Sequence, residues 1–414
     1  MNIQSNVPEP SVSGVRGTSQ PALIPPQRPA VPAKDARVLQ LDILRGVAIL
    51  LVLGAHSPSV ARGWSGMLRP VDIMIHRFGW TGVDLFFVLS GFLIGGLLFA
   101  ELKKYGTLDV GRFLIRRILR IWPPYYILLM VVLVRTAALP GGSLADAWSR
   151  TWMAFVHVQN FIECPRTQLW SLAVEEHFYV LLPLFLWALT RNRGTAALRY
   201  VPWASAILSV GFLLERYIFA SVTQLDRRIP MDALFFGVNL AYLHAYRPTV
   251  LPAILKYRVP LLAGAALLFI PSFLASGVFR LTFGLAALYV AYAIVLVCFI
   301  HIPAGPWIQW RATRLIAYIG TYSYSIYLWH RDTSWEAYEY TLKMGMRLGF
   351  PHEVTWVLHT IAYVIASIVG GIVLGNLIEG PVQRLREKLF PPRAVQSPLG
   401  DRPIAMQAVT RVEG

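Results

Sequence analysis

The sequence predicts an all-α, polytopic integral membrane helical bundle: about ten transmembrane helices with both termini in the cytoplasm. Three observations predict it. First, hydrophobic residues make up 56% of the 414 residues, mean hydropathy is +0.52 and only 14% are charged. A soluble domain carries about 25% charged residues. Second, the apolar residues gather in blocks of about 17–25, the length that crosses a bilayer as a helix. Third, the basic residues sit in short connections and favour one side. With the N-terminus inside, about 24 of the 38 Lys and Arg face the cytoplasm and about 12 face outward, Arg45 and Arg216 lying within spans. The net charge of +16 would suggest nucleic acid in a soluble protein; here it reads as an orientation signal.

The expected spans lie at roughly 41–58, 82–100, 121–138, 170–189, 203–221, 230–246, 259–277, 281–301, 315–330 and 355–377. Residues 1–38 are a Pro/Ser/Val-rich tail without the apolar core of a signal peptide, expected to be disordered in the cytoplasm. Residues 39–388 read as one membrane domain, and 389–414 as a second disordered tail. The longest outer connections are expected at roughly 139–169 and 331–354. No repeat with a clear period appears.

The first span, LDILRGVAILLVLGAHS, holds Arg45 and His56. Eleven residues at about 100° each return to within about 20° of the same face, about 16 Å along the axis. Asp42 falls near that stripe. Ionisable groups are costly in lipid, so this face belongs in a protein interior or wet cavity, and it is a functional-site candidate by default.

The second span, GWTGVDLFFVLSGFLIGGLL, carries Asp84 near its outer end, and Gly82, Gly91, Gly95 and Gly96 allow close helix approach. In GRFLIRRILRIWPPYY, Arg112, Arg116 and Arg120 fall at i, i+4 and i+8 with Arg117 beside them. That cationic stripe suits either lipid headgroups or an anionic, phosphate-bearing ligand, because guanidinium forks match phosphate. Pro123-Pro124 are expected to break or kink the helix.

The fourth span opens with TQLWSLAVEEHFYVLLPLFLW. Its Glu175 and Glu176 point about 100° apart, so one carboxylate at most faces a given cavity. Each needs a partner, in a structural ion pair or in catalysis. Asp232, before an apolar run, reads as helix-end capping and anchoring or as a local pair with Arg228. The aromatic and hydroxyl residues of IGTYSYSIYLWHRD, Tyr324 and Tyr327 among them, fit the interfacial belt better than a cavity. Glu379 and Pro381 in LIEGPVQRLRE read as an anchoring pattern.

Cys164 is expected in an outer loop and Cys298 in a span, so they are not expected to pair. There is no CxxC spacing, and Glu175-Glu176-His177 is not HExxH, so no metal is expected. No Walker A loop, GxGxxG turn or G-x-S-x-G elbow is present, which leaves arginine as the phosphate device.

Taken in order, LDILRGVAILLVLGAHS, GVDLFFVLSGFLI, RRILRIWPPYY, LWSLAVEEHFYVLLPL, MDALFFGVNLAYL and YSYSIYLWH, with Glu379-Gly380-Pro381, resemble the acyltransferase-3 family of bacterial membrane O-acyltransferases. The resemblance covers about 38 to about 388. It implies that Arg45 and His56 are essential, with His56 the catalytic centre. It carries the family's third-span Arg pair onto Arg117 and Arg120, and its Trp-Ser-x-x-x-Glu-Glu block onto Trp170, Ser171, Glu175 and Glu176. His177 stands where the family often has Gln, and Arg331-Asp332 follow the Tyr-Leu-Trp-His block where apolar residues or Pro are usual. Some members carry a fused extracytoplasmic esterase-like domain, which the stretch after the last span is too short to provide.

The expected activity is O-acyl transfer, with acetyl-CoA or another short acyl-CoA as cytoplasmic donor and a hydroxyl of an exported or envelope glycan, such as O-antigen or exopolysaccharide, as acceptor. The expected location is the bacterial inner membrane, among membrane lipid. Arg112, Arg116, Arg117 and Arg120 would hold the donor phosphates. Neutral His56 would act as general base or take the acyl group itself. Asp84, Glu175 or Glu176 would orient its ring. Arg45 would bind donor or pair with a carboxylate from another span. The competing class is a transporter or flippase of a glycan or lipid-linked intermediate, which buried charges also suit. Dependence of product on acyl-CoA separates the two.

Overall fold

The computed structural model describes residues 33–59, 66–162, 167–223, 231–274, 277–303, 305–391 and 393. Among these, α1 (Ala33–His56), α2 (Arg69–Gly79), α3 (Thr81–Tyr105), α4 (Val110–Ala137) and α5 (Leu144–Phe155) come first. Next come α6 (Trp170–Thr190), α7 (Val201–Thr223), α8 (Met231–Tyr246), α9 (Val250–Leu255) and α10 (Arg258–Leu274). The chain ends through α11 (Gly277–Ile300, with a π turn at Arg280–Gly284), α12 (Arg311–Thr321), α13 (Ser323–Arg347), α14 (His352–Leu374) and α15 (Gly380–Leu389). No described residue is in a strand.

The chain is therefore an all-helical, multi-pass membrane bundle. Seven helical stretches among the described residues are long and apolar enough to cross a membrane, three fewer than the sequence pattern suggests. The remaining expected spans are helices that fall short of that measure. α8 and α10 have 16 and 17 residues. α13 continues past its apolar part through Arg331, Asp332, Glu336, Glu339 and Lys343.

The expected outer connections at 139–169 and 331–354 contain helix, α5 in the first and the second half of α13 in the second. One feature of the expected layout is corrected. Pro123 and Pro124 do not break α4, which runs through both. Their missing N–H groups free the carbonyls four residues earlier, and nearby the Tyr324 hydroxyl donates to the Ile121 carbonyl at 2.8 Å.

Glycine sets the closest helix approaches. A Cβ on Gly91 would stand 1.9 Å from the Leu234 carbonyl oxygen, and one on Gly237 would stand 2.2 Å from that of Val88. Both lie where α3 crosses α8, so the glycines of the second expected span serve packing. Gly46 and Gly320 do the same for α1 and α12, meeting the carbonyls of Ile316 and Asp42. The buried core joins α1, α3, α4, α6, α8, α11 and α13.

α7 and α8 are tied by a buried ion pair. Both terminal nitrogens of Arg216 reach Asp232, each at 2.7 Å. The Arg216 guanidinium also lies 5.6 Å from the Tyr289 ring. The partner expected for Asp232, Arg228, lies outside the described residues; Arg216 comes from the preceding helix, a pairing that linear proximity does not disclose.

Candidate active site

A cavity of about 420 Å³ lies between α1, α3, α4, α6, α13 and the chain around Glu379. Along α3 its lining runs from Val83 to Glu101, about 27 Å of helix axis at 1.5 Å per residue. Its lining combines arginines from the start of α4 with aromatic residues, among them Phe86, Phe87, Tyr324 and Tyr327.

The start of α4 supplies the arginines. Asp109 caps that helix, its carboxylate accepting from the Arg112 backbone N–H at 3.0 Å. The helical period then turns Arg112, Arg116, Arg117 and Arg120 toward the space. The four are not equivalent. Arg112 donates to the Pro391 carbonyl. Arg116 donates to the Phe390 carbonyl and, at 3.1 Å, to Glu387. Arg117 stacks instead, 5.6 Å from the Phe113 ring and 5.4 Å from that of Tyr179. Arg120 lines the cavity. Neither Arg117 nor Arg120 makes a hydrogen bond or ion pair with another described residue, although Glu175 and Glu379 lie within electrostatic reach of them respectively. The two guanidiniums open to an anionic guest are thus Arg117 and Arg120.

Arg45 also lines the cavity. It meets Asp42 at 3.2 Å, one turn away on its own helix. That corrects the expectation of a carboxylate from another span: α1 itself supplies one at i−3.

The paired glutamates diverge as helical geometry requires. Glu175 faces the cavity and accepts from Ser90 at 2.7 Å and Tyr179 at 2.8 Å. Glu176 turns away and accepts from the Trp122 indole at 3.1 Å, and its other oxygen is buried without a partner among the described residues. Trp122 stacks 5.8 Å from His157, a residue in the connection before α6 whose φ is 56°. Burial, with His177 nearby, pushes the His157 imidazole down to about 4, so it is a neutral ring near neutral pH.

Tyr324, Tyr327 and Glu379 are corrected. They line the cavity rather than an interfacial belt or anchor. Ser325 donates to Glu379. The Tyr327 hydroxyl donates to the Gln168 carbonyl at 2.6 Å and lies 2.5 Å from the Ser171 hydroxyl. The α13 helix turns its hydroxyl face inward because buried oxygens from Gln168 and Ser171 need those donors.

His56 stands beyond these tyrosines. Its ring centroid is 5.0 Å from that of His330, which lies 6.0 Å from the Tyr327 ring. A chain of touching rings therefore joins the cavity lining to His56. His56 Nδ1 is 3.0 Å from the Val52 carbonyl, and His330 Nδ1 is 2.7 Å from the Tyr327 carbonyl. A carbonyl only accepts, so both Nδ1 atoms carry the proton and both Nε2 atoms present a lone pair. The Nε2 of fully buried His330 has no partner among the described residues.

The expected carboxylate orienter of His56 is corrected as well. No described carboxylate hydrogen-bonds or pairs with it; Arg331 and His76 lie within electrostatic reach. Glu175 and Glu176 are held elsewhere, and Asp84 is buried within electrostatic reach of Arg216 and Tyr292. The Val52 carbonyl takes the orienting role. His330, the residue sequence reasoning passed over, was visible only as the end of the Tyr-Leu-Trp-His block. Its signal was an ionisable ring at the end of an aromatic and hydroxyl-rich run, next to Arg331 and Asp332. Cys298 is buried with a free thiol, and Cys164 lies outside the described residues.

A family model described as an acyltransferase domain matches residues 38–376. The peptidoglycan O-acetyltransferase OatA of Listeria monocytogenes is 28% identical over 320 residues, covering 71% of this chain and 49% of that protein. A Staphylococcus aureus (strain COL) protein provisionally named an O-acetyltransferase is 29% identical over 324 residues, covering 70% of this chain and 49% of its own length. A provisionally named peptidoglycan O-acetyltransferase of Bacillus subtilis is 28% identical over 321 residues, 70% of this chain and 47% of that one. The chain spans about half the length of the curated relatives it matches. No solved structure matches.

Proposed function

The chain belongs to the acyltransferase-3 family, and on that premise we propose that it is a membrane O-acetyltransferase drawing on cytoplasmic acyl-CoA and acting on a hydroxyl of an envelope glycan. The observation that carries this reading is the cavity itself. It offers two arginines without ion-pair partners among the described residues, Arg117 and Arg120, and runs inward to the ring chain Tyr327–His330–His56.

The division of labour follows. Arg117 and Arg120 bind the donor phosphates, with Arg45 adding positive field from α1. The narrow pantetheine arm lies along α3 with its thioester toward Tyr327. His56 Nε2 takes the proton from the acceptor hydroxyl as that oxygen attacks the thioester carbonyl. The C–S bond breaks, and the coenzyme A thiolate takes the proton from the imidazolium. The Val52 carbonyl, on Nδ1–H, holds the ring in the reactive tautomer and stabilises its charged form. Glu175 fixes Ser90 and Tyr179 beside the donor rather than touching His56. With the N-terminus in the cytoplasm, the arginine end faces the donor pool and the bacterial inner membrane is the setting.

The test is transfer of radiolabelled acetyl from acetyl-CoA to envelope glycans, in membranes holding wild type or His56→Ala. Label with wild type alone is the expected result and delivers the acceptor for analysis. Equal label in both removes His56 from the chemistry. Acetyl recovered on the protein at His56 replaces the base role with an acyl-imidazole one. No label in either, with folded protein, brings the transporter reading forward.

A further inference from the structure

At the donor end of the cavity the lining arginines already have partners from the chain itself. Arg116 donates to Glu387 at 3.1 Å and to the Phe390 carbonyl, and Arg112 donates to the Pro391 carbonyl. Arg386 also donates to Glu387, at 2.6 Å. Past α15, Arg393 donates to Glu101 at 2.9 Å and lies 3.6 Å from Asp109, on the turn that joins α3 to α4. Residues of α15, Phe390 and Pro391 are thus fastened to α4, and Arg393 to α3 and the α3–α4 turn, at the arginine end of the cavity. They lie beyond residues 38–376, the part of the chain that the family model matches.

The chemistry of the fastening is that of a phosphate site. One carboxylate, Glu387, lies between two guanidiniums, as a phosphate oxygen would. Arg386 is only 8% exposed, and its Nε is buried with no partner among the described residues. Its electrostatic neighbours include Arg116, Arg117 and Arg120. A buried guanidinium in such company, with a donor left over, is short of anion.

We propose that Glu387 is an internal surrogate for the donor's phosphate: residues 380–391 together with Arg393 latch the arginine end of the cavity when no donor is bound, and an incoming phosphate group displaces Glu387 from Arg116 and Arg386. Glu387 thereby sets donor affinity and Arg386 becomes part of the donor site. This rests on the acyl-CoA reading of the cavity. The step is an exchange of anions on fixed cations. No covalent bond changes, and the arginine charges stay compensated in both states. The latch costs affinity, since the guest must first break the internal pair, and it keeps buried guanidiniums from standing uncompensated.

Two measurements on the full chain in detergent test this. Glu387→Gln keeps the shape and removes the competing charge. Coenzyme A is expected to bind it about fivefold more tightly than wild type, the scale of a half-exposed ion pair. Unchanged or weaker binding overturns the surrogate role. The second measurement needs no coenzyme A. Glu101→Cys and Arg393→Cys, with Cys164 and Cys298 replaced by Ser, are joined by a short thiol-cleavable bis-methanethiosulfonate. Inorganic pyrophosphate is expected to slow the cross-link at least twofold, and acetyl transfer is expected to stop when the link forms and return on reduction. A cross-linking rate indifferent to pyrophosphate, or full transfer by linked protein, overturns the latch. If pyrophosphate slows the link while no variant binds coenzyme A, the donor reading fails and the anion latch stands.

Discussion

The bundle holds two polar clusters that handle charge in opposite ways. Between α7 and α8, Arg216 and Asp232 meet through two 2.7 Å bonds and are almost wholly enclosed. Between α1 and α13, His56 and His330 meet ring to ring at 5.0 Å, with each Nε2 lone pair uncommitted to any hydrogen bond among the described residues. The first cluster has a partner for each charge, so it acts as a joint. The second is held through Nδ1 alone and keeps its reactive atoms spare. Leaving a buried polar atom unmade is costly. His330 Nε2 bears that cost and so does Arg216 Nε, so the two clusters differ instead in charge: the guanidinium of the first has its carboxylate, whereas no described carboxylate pairs with the imidazoles of the second.

Four variants break or sharpen that contrast. The largest effect belongs to His56→Ala, expected to reduce transfer by about 10³-fold or more, on the scale of a lost general base. Its melting profile should stay close to wild type, because one half-exposed Nδ1 bond is all it removes. A large loss of folded protein would make His56 a structural residue and dissolve the comparison. Asp232→Asn should do the reverse. Stranding Arg216 in the interior costs about 3–5 kcal/mol, visible as early thermal aggregation, while transfer per folded molecule stays within about twofold. If its activity falls further than its stability, the pair is no mere joint.

Arg120→Ala comes next. Loss of one charge-assisted contact is worth about 1.5–3 kcal/mol, so the Michaelis constant for acetyl-CoA should rise about tenfold or more with turnover little changed. Reduced turnover at unchanged donor affinity would move Arg120 from binding to chemistry. The smallest effect concerns His157. Its unfolded imidazole titrates near 6.5 and its folded one near 4. The unfolded state therefore binds more protons between those values, and stability falls as pH drops through that window. His157→Phe, which keeps the stacked ring beside Trp122 and Tyr125, should flatten that acid sensitivity by about a few degrees of melting temperature. A variant as acid-sensitive as wild type would assign the loss to another group.

Much of this was legible in the chain before folding. The blocks of apolar residues located the helices, because crossing or packing in an apolar medium demands internal backbone hydrogen bonds over a fixed length. The eleven-residue step put Arg45 and His56 on one face of α1. The i, i+4, i+8 stripe brought the arginines of α4 to one cavity. Adjacent Glu175 and Glu176 were bound to diverge, and they do. These readings turned on helical periodicity, and the helices reproduced it; the prolines of α4, which do not break that helix, are the exception.

Apart from the span count and the two prolines, the readings that changed concerned partners. Arg45 found Asp42 one turn away, Asp232 found Arg216, and Tyr327 and Glu379 turned inward to the cavity. His330 lies 274 positions beyond His56, and Glu387 lies 271 beyond Arg116. Periodicity says which face of a helix a residue occupies; it carries no information about which distant helix that face will meet. The sequence by itself determined that this is a membrane bundle with charges facing inward, because lipid tolerates nothing else. Only the tertiary structure decided which charges are matched and which are left spare. That choice depends on glycine-set helix crossings such as Gly91 on Leu234 and Gly320 on Asp42. These crossings fix, to within an ångström, whether two polar atoms touch.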